Sequence, residues 1–157
     1  MIGYEYFKHQ TFFEAFNDYQ VKFSEKMVRT YFRQLISGLE YLHNQHIAHL
    51  DLKLENIMLN DNFELKIIDF DLACHCKDKG QKIISQGTQN YRAPELRDKR
   101  VENYQVCDIY SAGILLFVFA CDGILPFLES DDELFGQKLK EYMQNDPSKF
   151  WAKHARI

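Results

Sequence analysis

Hydrophobic side chains recur at every third or fourth position in the segment that follows Ser24. The recurring residues are Met27, Val28, Tyr31, Phe32, Leu35, Ile36, Leu39 and Leu42. A repeat near 3.6 residues is typical of a helix that buries one broad face, and serine is frequent just before a helix. The pattern predicts a well-buried helix that begins after Ser24 and ends near His43 and Asn44.

The helical repeat stops there, and a different pattern follows. Residues 46–56 have neither a helical nor a strand repeat, and an apolar run covers residues 57–59. A turn-forming Asn-Asp-Asn triplet then precedes a second run at residues 63–68. Two short runs around such a turn are typical of a β-hairpin. The sequence predicts a loop at 46–56 that leads into one short hairpin.

Residues 69–100 contain Gly80, Gly87 and Pro94 and show no sustained repeat. We expect a long loop there, and loops of this length in compact domains are usually functional. Residues 106–120, in contrast, are apolar on nearly every face. A helix of that kind must be surrounded by other elements rather than covered on one side, so we expect it to be the central helix.

The C-terminal part carries the signals of another helix. The acidic residues 131–133 suit a helix N-terminus, and they precede an amphipathic run that we expect to end at Pro147. No repeat, low-complexity tract or Gly/Ser-rich linker interrupts the chain. The sequence predicts one unit over residues 1–157, mainly α with a short β-hairpin.

Composition adds exclusions to this picture. With 46% hydrophobic and 15% aromatic residues, the chain carries more apolar surface than a disordered tail. A formal net charge of -4 and the lack of a basic cluster argue against nucleic acid as a partner. The most apolar stretch, residues 109–121, is shorter than the roughly 20 residues that cross a bilayer, so we expect no membrane span.

The four cysteines have no disulfide-framework spacing, and the N-terminal residues lack the layout of a signal peptide. We therefore expect reduced thiols and a cytoplasmic (intracellular) protein. Cys74 and Cys76 flank His75 and invite a metal interpretation. Structural zinc sites usually need a second ligand pair at suitable spacing, so we do not predict a metal site there.

Candidate chemistry lies in residues 49–56, which have H-x-D-L-K-x-x-N spacing. Phosphoryl transfer uses these groups, because a carboxylate accepts the proton of the substrate hydroxyl, a lysine offsets charge on the moving group, and an amide oxygen helps hold magnesium. Another carboxylate, Asp69, comes thirteen residues after Asn56, at the end of a predicted strand. The spacing indicates a phosphoryl-transfer site.

Two further motifs follow in order. Residues 87–95 read G-T-Q-N-Y-R-A-P-E and residues 108–113 read D-I-Y-S-A-G. A single motif of this kind can arise by chance. Four motifs in the same order as in one family, at residues 49–56, 69–70, 87–95 and 108–113, are specific to that family. The set resembles the protein kinase family. Residues 123–127, followed by Leu134 and Phe135, are similar to the calcium/calmodulin-dependent and AMP-activated-kinase-like groups.

The resemblance implies a function and a site. The protein would transfer the γ-phosphate of ATP to Ser or Thr hydroxyls on protein substrates, with ATP and Mg²⁺ as cofactors. Asp51 would be the catalytic base and Lys53 the contact to the γ-phosphate. Asn56 and Asp69 would hold Mg²⁺, and Met58 would lie beneath the adenine ring. Lys53 and Asp69 would also take part in nucleotide binding.

The resemblance also implies roles in substrate recognition. Lys53 and Thr88 indicate serine/threonine specificity, because Thr88 resembles the threonine that contacts the catalytic Asp and Lys in such kinases. Glu55 resembles an acid that selects basic residues near the phosphorylated site, although a solvated loop glutamate is an equal alternative. Glu95 would end the activation segment and pair with an Arg near the end of the domain, and no such Arg is evident in the sequence.

Three more residues would have structural roles. His49 and Phe70 resemble residues that stack onto the central helix through Asp108. The alternative interpretation is ordinary core packing, which is also the role that the family gives these positions.

Other family motifs are not found, among them the G-x-G-x-x-G loop, the V-A-I-K strand lysine and its partner Glu. We therefore expect the C-terminal, helical lobe of the α+β protein-kinase fold, from about the hinge to the helix after the central helix, with the N-terminal lobe absent. We expect the isolated chain to be marginally stable and not competent alone. The alternatives are a catalytically dead kinase-like binding or regulatory module and an incomplete gene model without independent activity.

Two substitutions fall inside the motifs. Leu50 replaces the usual Arg before the catalytic Asp, so no cation is present there to pair with a phosphorylated activation loop, and we expect activity independent of such phosphorylation. Asp71 replaces the usual Gly after Phe70. Asp adopts positive φ less easily than Gly and adds charge near magnesium, so we expect reduced activity.

Overall fold

The computed structural model describes residues 11–18, 20–77, 87–97, 101–126, 141 and 143–153. The described part is rich in helix and has small antiparallel sheets. In chain order its elements are α1 (Phe12–Asn17), α2 (Glu25–Asn44), β1 (Ile47–Ala48), a 3-10 turn (Leu54–Asn56), β2 (Ile57–Leu59), β3 (Leu65–Ile67), β4 (Cys74–His75), α3 (Pro94–Arg97), α4 (Tyr104–Ala120) and α5 (Pro147–Lys153).

Helix α2 confirms the prediction made from the apolar repeat. Its N-terminal cap is Ser24, whose Oγ accepts a hydrogen bond from the Met27 amide at 3.3 Å. The buried residues of the helix, Val28, Leu35 and Leu39, lie on the predicted face. The helix therefore forms because one stripe packs on the core while its first turn is capped.

The main core lies where α1, α2, α4 and the β2–β3 hairpin meet. Phe12, Phe16, Phe23 and Phe119 pack together there, with ring-centroid distances between 4.8 and 6.4 Å. Full burial of one such side chain stabilises a fold by about 1.5–3 kcal/mol. These rings therefore hold the first helix against the central one.

The predicted hairpin is confirmed, with Ile57 opposite Ile67 and Leu59 opposite Leu65. Its turn is held by Asn60, whose Oδ1 accepts the amides of residues 62 and 64 at 3.0 and 2.8 Å. A second antiparallel pair, β1 with β4, contradicts the expectation that both segments are plain loop. Strands of two residues are too short to show an alternating pattern, so the sequence carried no signal for them.

Two prolines open helices. Pro94 begins α3 inside the expected long loop, and Pro147 begins α5. The helical residues that precede Pro147 stop at residue 145, so the expectation that the preceding helix ends at Pro147 is confirmed. Proline fits the first turn of a helix because the amide it lacks would have no helical partner there. The preceding helix predicted after residues 131–133 lies mostly outside the described residues.

Helix α4 begins after Asn103, whose Oδ1 accepts the Gln105 amide at 3.0 Å. Leu115 and Val118 are fully buried, whereas Val106 and Ile109 are 51% and 52% exposed. The expectation that other elements surround this helix on all sides is therefore wrong for one face. Among the helices of the described residues, none combines the length and the apolarity needed to cross a membrane.

Candidate active site

The loop that follows β1 is anchored on the central helix α4. The carboxylate of Asp108 is fully buried, and its Oδ2 accepts the His49 amide at 2.9 Å while its Oδ1 accepts the Leu50 amide at 2.8 Å. The ring Nε2 of His49 lies 2.9 Å from the carbonyl oxygen of Ile68. The backbone just before Asp51 is therefore fixed between α4 and the chain that leaves β3.

Leu50 is buried at this anchor. Its side chain packs in a second apolar cluster with Ala48, Cys74, Ala93, Leu96 and Cys107. Its φ is 65°, a left-handed conformation that costs an L-residue with a Cβ about 1–2 kcal/mol. Such strain persists only where the surroundings hold it. The apolar contacts and the bond to Asp108 supply that restraint.

The carboxylate of Asp51 is held on both oxygens. Oδ1 accepts hydrogen bonds from the amide and the hydroxyl of Thr88 at 2.8 and 2.7 Å. Oδ2 lies 2.8 Å from Lys53 Nζ. Lys53 Nζ also donates to Thr88 Oγ1 at 3.0 Å. The three side chains thus form a closed, largely buried cluster.

The same contacts set the charge of Asp51. Burial alone would raise the pKa of this carboxyl, but hydrogen bonds from Lys53 and Thr88 and the positive charge of Lys53 lower the pKa below its usual 3.8. Asp51 is therefore ionised at neutral pH. An ionised carboxylate within hydrogen-bond reach of a hydroxyl can act as a general base.

Asn56 completes the loop from the 3-10 turn. Its Nδ2 donates to the Asp51 backbone oxygen at 2.8 Å and to Asp51 Oδ2 at 3.1 Å. Asn56 itself is buried. Both bonds use the amide nitrogen of Asn56, so its amide oxygen is the end of the side chain that does not bond Asp51. The amide oxygen is the atom that a hard cation would use as a ligand.

Gly87 brings Thr88 to this cluster. Its φ is 96°, and a Cβ built on it would lie 2.6 Å from the Leu50 carbonyl oxygen. A real side chain cannot occupy that position without moving the backbone. The glycine therefore permits the close approach of the segment that carries Thr88.

Asp69 and Phe70 are more open than the Asp51 cluster. Both are exposed, and Asp69 has a φ of 63°. Asp69 Oδ1 accepts only a long bond from the Asp71 amide, at 3.4 Å, and within the described residues no hydrogen bond joins Asp69 to the Asp51 cluster. Phe70 packs edge-on against His49, with ring centroids 4.9 Å apart. Phe70 therefore contacts His49, whose amide in turn bonds Asp108.

The backbone at Asp71 differs from the expectation. Positive φ occurs at Asp69, and Asp71 is not among the described residues with positive φ. The strain expected from replacing a glycine at position 71 is therefore not present in this conformation.

The other residues predicted for the site lie around its edge. Met58 is half-buried on β2 opposite Lys66. Glu55 lies in the 3-10 turn, and its Oε2 is buried without a hydrogen-bond partner among the described residues. Glu95, on α3, lies near Cys107. Burial first, and the Glu95 charge second, raise the pKa of that thiol to about 12.

Residues that the sequence interpretation did not assign also contribute. His43 Nε2 lies 2.9 Å from Asp108 Oδ2, and Ser111 Oγ donates to the Tyr91 carbonyl oxygen at 2.7 Å. The sequence could have indicated His43 by its position, because this polar residue continues the buried stripe of Leu35 and Leu39. Ser111 likewise interrupts an otherwise apolar helix.

The donor set fits Mg²⁺ better than a transition metal. Within the described ranges, no cluster of three or more His, Cys, Asp or Glu side chains is arranged to hold a metal, and Cys74 and Cys76 are free thiols. Magnesium usually binds one or two protein oxygens together with substrate phosphates. Asn56 and Asp69 match that pattern by chemistry.

Comparisons with known proteins agree with the motifs. A family model described as "Protein kinase domain" matches residues 1–155. The chain is 42% identical over 113 residues to CBL-interacting protein kinase 26 of Oryza sativa subsp. japonica, covering 70% of this chain and 23% of the relative. It is 39% identical over 131 residues to CBL-interacting serine/threonine-protein kinase 8 of Arabidopsis thaliana, covering 82% and 29%.

A third relative is the maternal embryonic leucine zipper kinase of Danio rerio, 35% identical over 130 residues, with 80% of this chain and 19% of the relative covered. The chain therefore spans less than a third of the length of each of these curated relatives. The matched domain and the serine/threonine kinases among the relatives show that the chain belongs to the protein kinase superfamily, among the calcium/calmodulin-dependent and AMP-activated-kinase-like groups.

Proposed function

We propose that this chain carries the phosphoryl-transfer site of a serine/threonine protein kinase, with Asp51 as the catalytic base. The observation that supports this most strongly is the closed cluster of Asp51, Lys53 and Thr88. Both carboxylate oxygens of Asp51 are held, one by Thr88 and one by Lys53. A base fixed in this way is oriented before the substrate arrives, and such orientation is a large part of catalysis.

Each side chain then has a defined task. Asp51 accepts the proton of the substrate hydroxyl, and Thr88 keeps its carboxylate oriented. Lys53, which bridges Asp51 and Thr88, offsets negative charge on the γ-phosphate. Bound Mg²⁺ would neutralise charge on the phosphates of ATP. Asn56 and Asp69 are the residues that would hold it.

The nucleotide would lie against the hairpin. Met58, on β2, would contact the adenine ring, and Lys53 and Asp69 would face the phosphates. Asp69 is exposed and accepts one long bond from the described residues, which supports its role as a ligand.

Substrate choice would involve the glutamate of the catalytic loop. Glu55 Oε2 is buried without a hydrogen-bond partner in the described part of the chain. Leaving such an acceptor unpaired costs free energy, so pairing with a cation of the substrate would be favourable. We therefore propose protein substrates in which the phosphorylated Ser or Thr lies near basic residues. Glu95, on α3, would close the activation segment.

We also propose that residues 1–157 form the helical C-terminal lobe of the kinase fold, in a protein that acts in the cytoplasm. The elements described here, a helical core with one hairpin beside the catalytic loop, support this assignment. We do not expect the isolated chain to transfer phosphate. The activity is proposed for the protein at its full natural length.

Leu50 suggests how such a kinase is controlled. Its side chain is buried among apolar groups of β1, β4, α3 and α4, where an arginine would present a cation to a phosphorylated loop. Apolar packing holds the catalytic loop instead. We therefore propose that activity does not depend on phosphorylation of the activation segment.

The proposal is tested with the full-length protein and three peptides that differ only in the phosphate acceptor, Ser, Thr or Tyr, next to arginines. We expect transfer to Ser and Thr at least about tenfold faster than to Tyr. Transfer to Tyr at an equal rate would contradict the proposal. An Arg-to-Glu change in the Ser peptide should raise KM, and an unchanged KM would remove Glu55 from the proposal.

A second candidate is a kinase-like module that binds a partner without transferring phosphate. It is favoured by Asp71, which adds a negative charge beside the exposed Asp69. Thermal unfolding of the full-length protein with and without Mg²⁺–ATP separates the two candidates. A ligand present at 100 times its Kd stabilises a protein by about 2.7 kcal/mol, and the complete lack of a shift would favour the binding module.

A further inference from the structure

A buried carboxylate is the fixed point from which the catalytic loop is suspended. Asp108 accepts the amides of His49 and Leu50, and its Oδ2 accepts a further hydrogen bond from His43 Nε2 at 2.9 Å. Asp108 is fully buried, so water does not replace a missing donor there. The orientation of this carboxylate therefore depends on all three donors.

The contact between His43 Nε2 and an ionised Asp108 carboxylate requires one tautomer of the ring. An ionised carboxylate only accepts hydrogen bonds, so the His43 nitrogen that faces it must carry a hydrogen. That nitrogen is Nε2. A hydrogen bond to Asp108 therefore requires His43 to donate through Nε2–H.

His43 is itself held in place by the central helix. It lies in the last turn of α2, and its backbone oxygen accepts a bond from Gln105 Nε2 at 2.7 Å. The end of α2 is thus tied to α4 twice, once through the backbone of His43 and once through its ring. Only the ring bond depends on the side chain being histidine, because any residue would offer the backbone oxygen.

The bonds form a chain that ends at the proposed base. The His43 ring restrains Asp108, Asp108 restrains the amides of His49 and Leu50, and Leu50 directly precedes Asp51. Leu50 has a left-handed backbone that needs external restraint. A small rotation of the Asp108 carboxylate would therefore move the backbone of Leu50 and change the direction in which the Asp51 side chain points.

We propose that His43 is a positioning residue for Asp51, which acts by holding the Asp108 carboxylate in the orientation that fixes the catalytic loop. The kinetic part of this inference rests on the proposed function, whereas the structural part does not. Nothing in the H-x-D-L-K-x-x-N motif includes His43, which lies six positions before His49.

The test uses the full-length protein with His43→Leu, which keeps bulk and removes the donor, and His43→Gln, which returns an amide N–H at similar reach. Amide hydrogen exchange at His49 and Leu50 is the main readout. We expect exchange to be about tenfold faster or more in His43→Leu, as when a hydrogen bond to a charged group is lost. His43→Gln should bring the rates most of the way back.

Kinetics separate positioning from general loosening. We expect kcat of His43→Leu to fall by about tenfold while KM for ATP and peptide stays within about twofold, with recovery in His43→Gln. The matched control is His75→Leu, an exposed histidine on β4, which should leave both exchange and kcat unchanged. Equal exchange rates at His49 and Leu50 in His43→Leu and His75→Leu would overturn the inference.

Two further results distinguish a failure of the role of His43 from a failure of the proposed function or of folding. If the wild-type protein transfers no phosphate, the proposed function fails, and the exchange rates still decide the role of His43. If His43→Leu does not fold, the ring tautomer in the wild-type protein decides it by NMR. An Nε2–H signal supports the inference, and a neutral ring that carries its hydrogen on Nδ1 overturns it.

Discussion

The two carboxylates expected to serve phosphoryl transfer lie in very different surroundings. Asp51 is buried, and its carboxylate accepts bonds from three side chains and one backbone amide. Asp69 is exposed and, within the described part of the chain, accepts one long bond. The base half of the site is therefore organised by the chain itself. The half that is proposed to hold the metal is exposed and sparsely bonded within the described residues, and the predictions below test that difference.

The largest effect is expected from Gly87→Ala, which changes the backbone of the organised half of the site, the half that contains Asp51, Lys53 and Thr88. The new Cβ would lie 2.6 Å from the Leu50 carbonyl oxygen, at a φ of 96° that alanine disfavours. We expect a loss of about 1–3 kcal/mol in the free energy of unfolding and a fall in kcat of about 100-fold or more.

Denaturant unfolding and steady-state kinetics check this prediction. Gly113→Ala is the matched control, because nothing lies within 4 Å of a Cβ at that position. If Gly87→Ala and its control behaved alike, the close approach of the segment carrying Thr88 would be unimportant.

Thr88→Val should have the next largest effect. It removes the hydroxyl that bonds both Asp51 and Lys53, while the amide bond to Asp51 remains. Losing a hydrogen bond to a charged group costs about 1.5–3 kcal/mol, so we expect kcat to fall by about tenfold or more. Thr88→Ser keeps the hydroxyl and should stay close to wild type. A Val variant as active as the Ser variant would argue against the cluster.

Lys53→Met should change how activity and stability depend on pH. Lys53 helps to lower the pKa of Asp51, so its removal raises that pKa, and the acid limb of kcat against pH moves upward. Because the folded pKa is depressed, Asp51 adds stability above its unfolded pKa of about 3.8, and this contribution is lost as pH falls through the folded pKa.

In Lys53→Met that acid-dependent loss of stability should be smaller. Unfolding followed between about pH 2 and pH 5 is the check for both proteins. Identical pH dependence in the two would show that Lys53 does not set the charge state of Asp51.

The smallest effect is expected from Asp71→Gly, in the open half. Positive φ falls at Asp69 rather than at Asp71, so the glycine relieves no strain in this conformation. We expect less than about 1 kcal/mol of change in stability and a kcat within about threefold of wild type. A large rise in kcat would show that Asp71 restrains the kinase and that the open half limits turnover.

The sequence predicted the parts of the fold that repeat and the motifs that lie close together along the chain. Helix α2 was found from its 3.6-residue repeat, the β2–β3 hairpin from two apolar runs around a turn, and helix α4 from a long stretch that is apolar on nearly every face. The β1–β4 pair was missed because two residues show none. Pro147 follows the end of one helical segment and begins α5, because proline is compatible with both the end and the start of a helix.

For the candidate site, the sequence predicted which residues matter more readily than how they meet. The contact of Thr88 with Asp51 was expected from the family resemblance, while the burial of Leu50 and the bond from His43 to Asp108 required the fold. Long-range contacts between α2, α4 and the loop leave no local pattern.

The central claim is that the organised half performs the transfer while the open half binds the metal and nucleotide. The most direct measurement is the single-turnover rate of phosphate transfer in full-length Asp51→Asn protein saturated with Mg²⁺–ATP and a Ser peptide, with Asp61→Asn in the hairpin turn as the control. We predict a rate about 100-fold to 10,000-fold below wild type, with the Kd for Mg²⁺–ATP unchanged. A rate within about twofold of wild type would contradict the account.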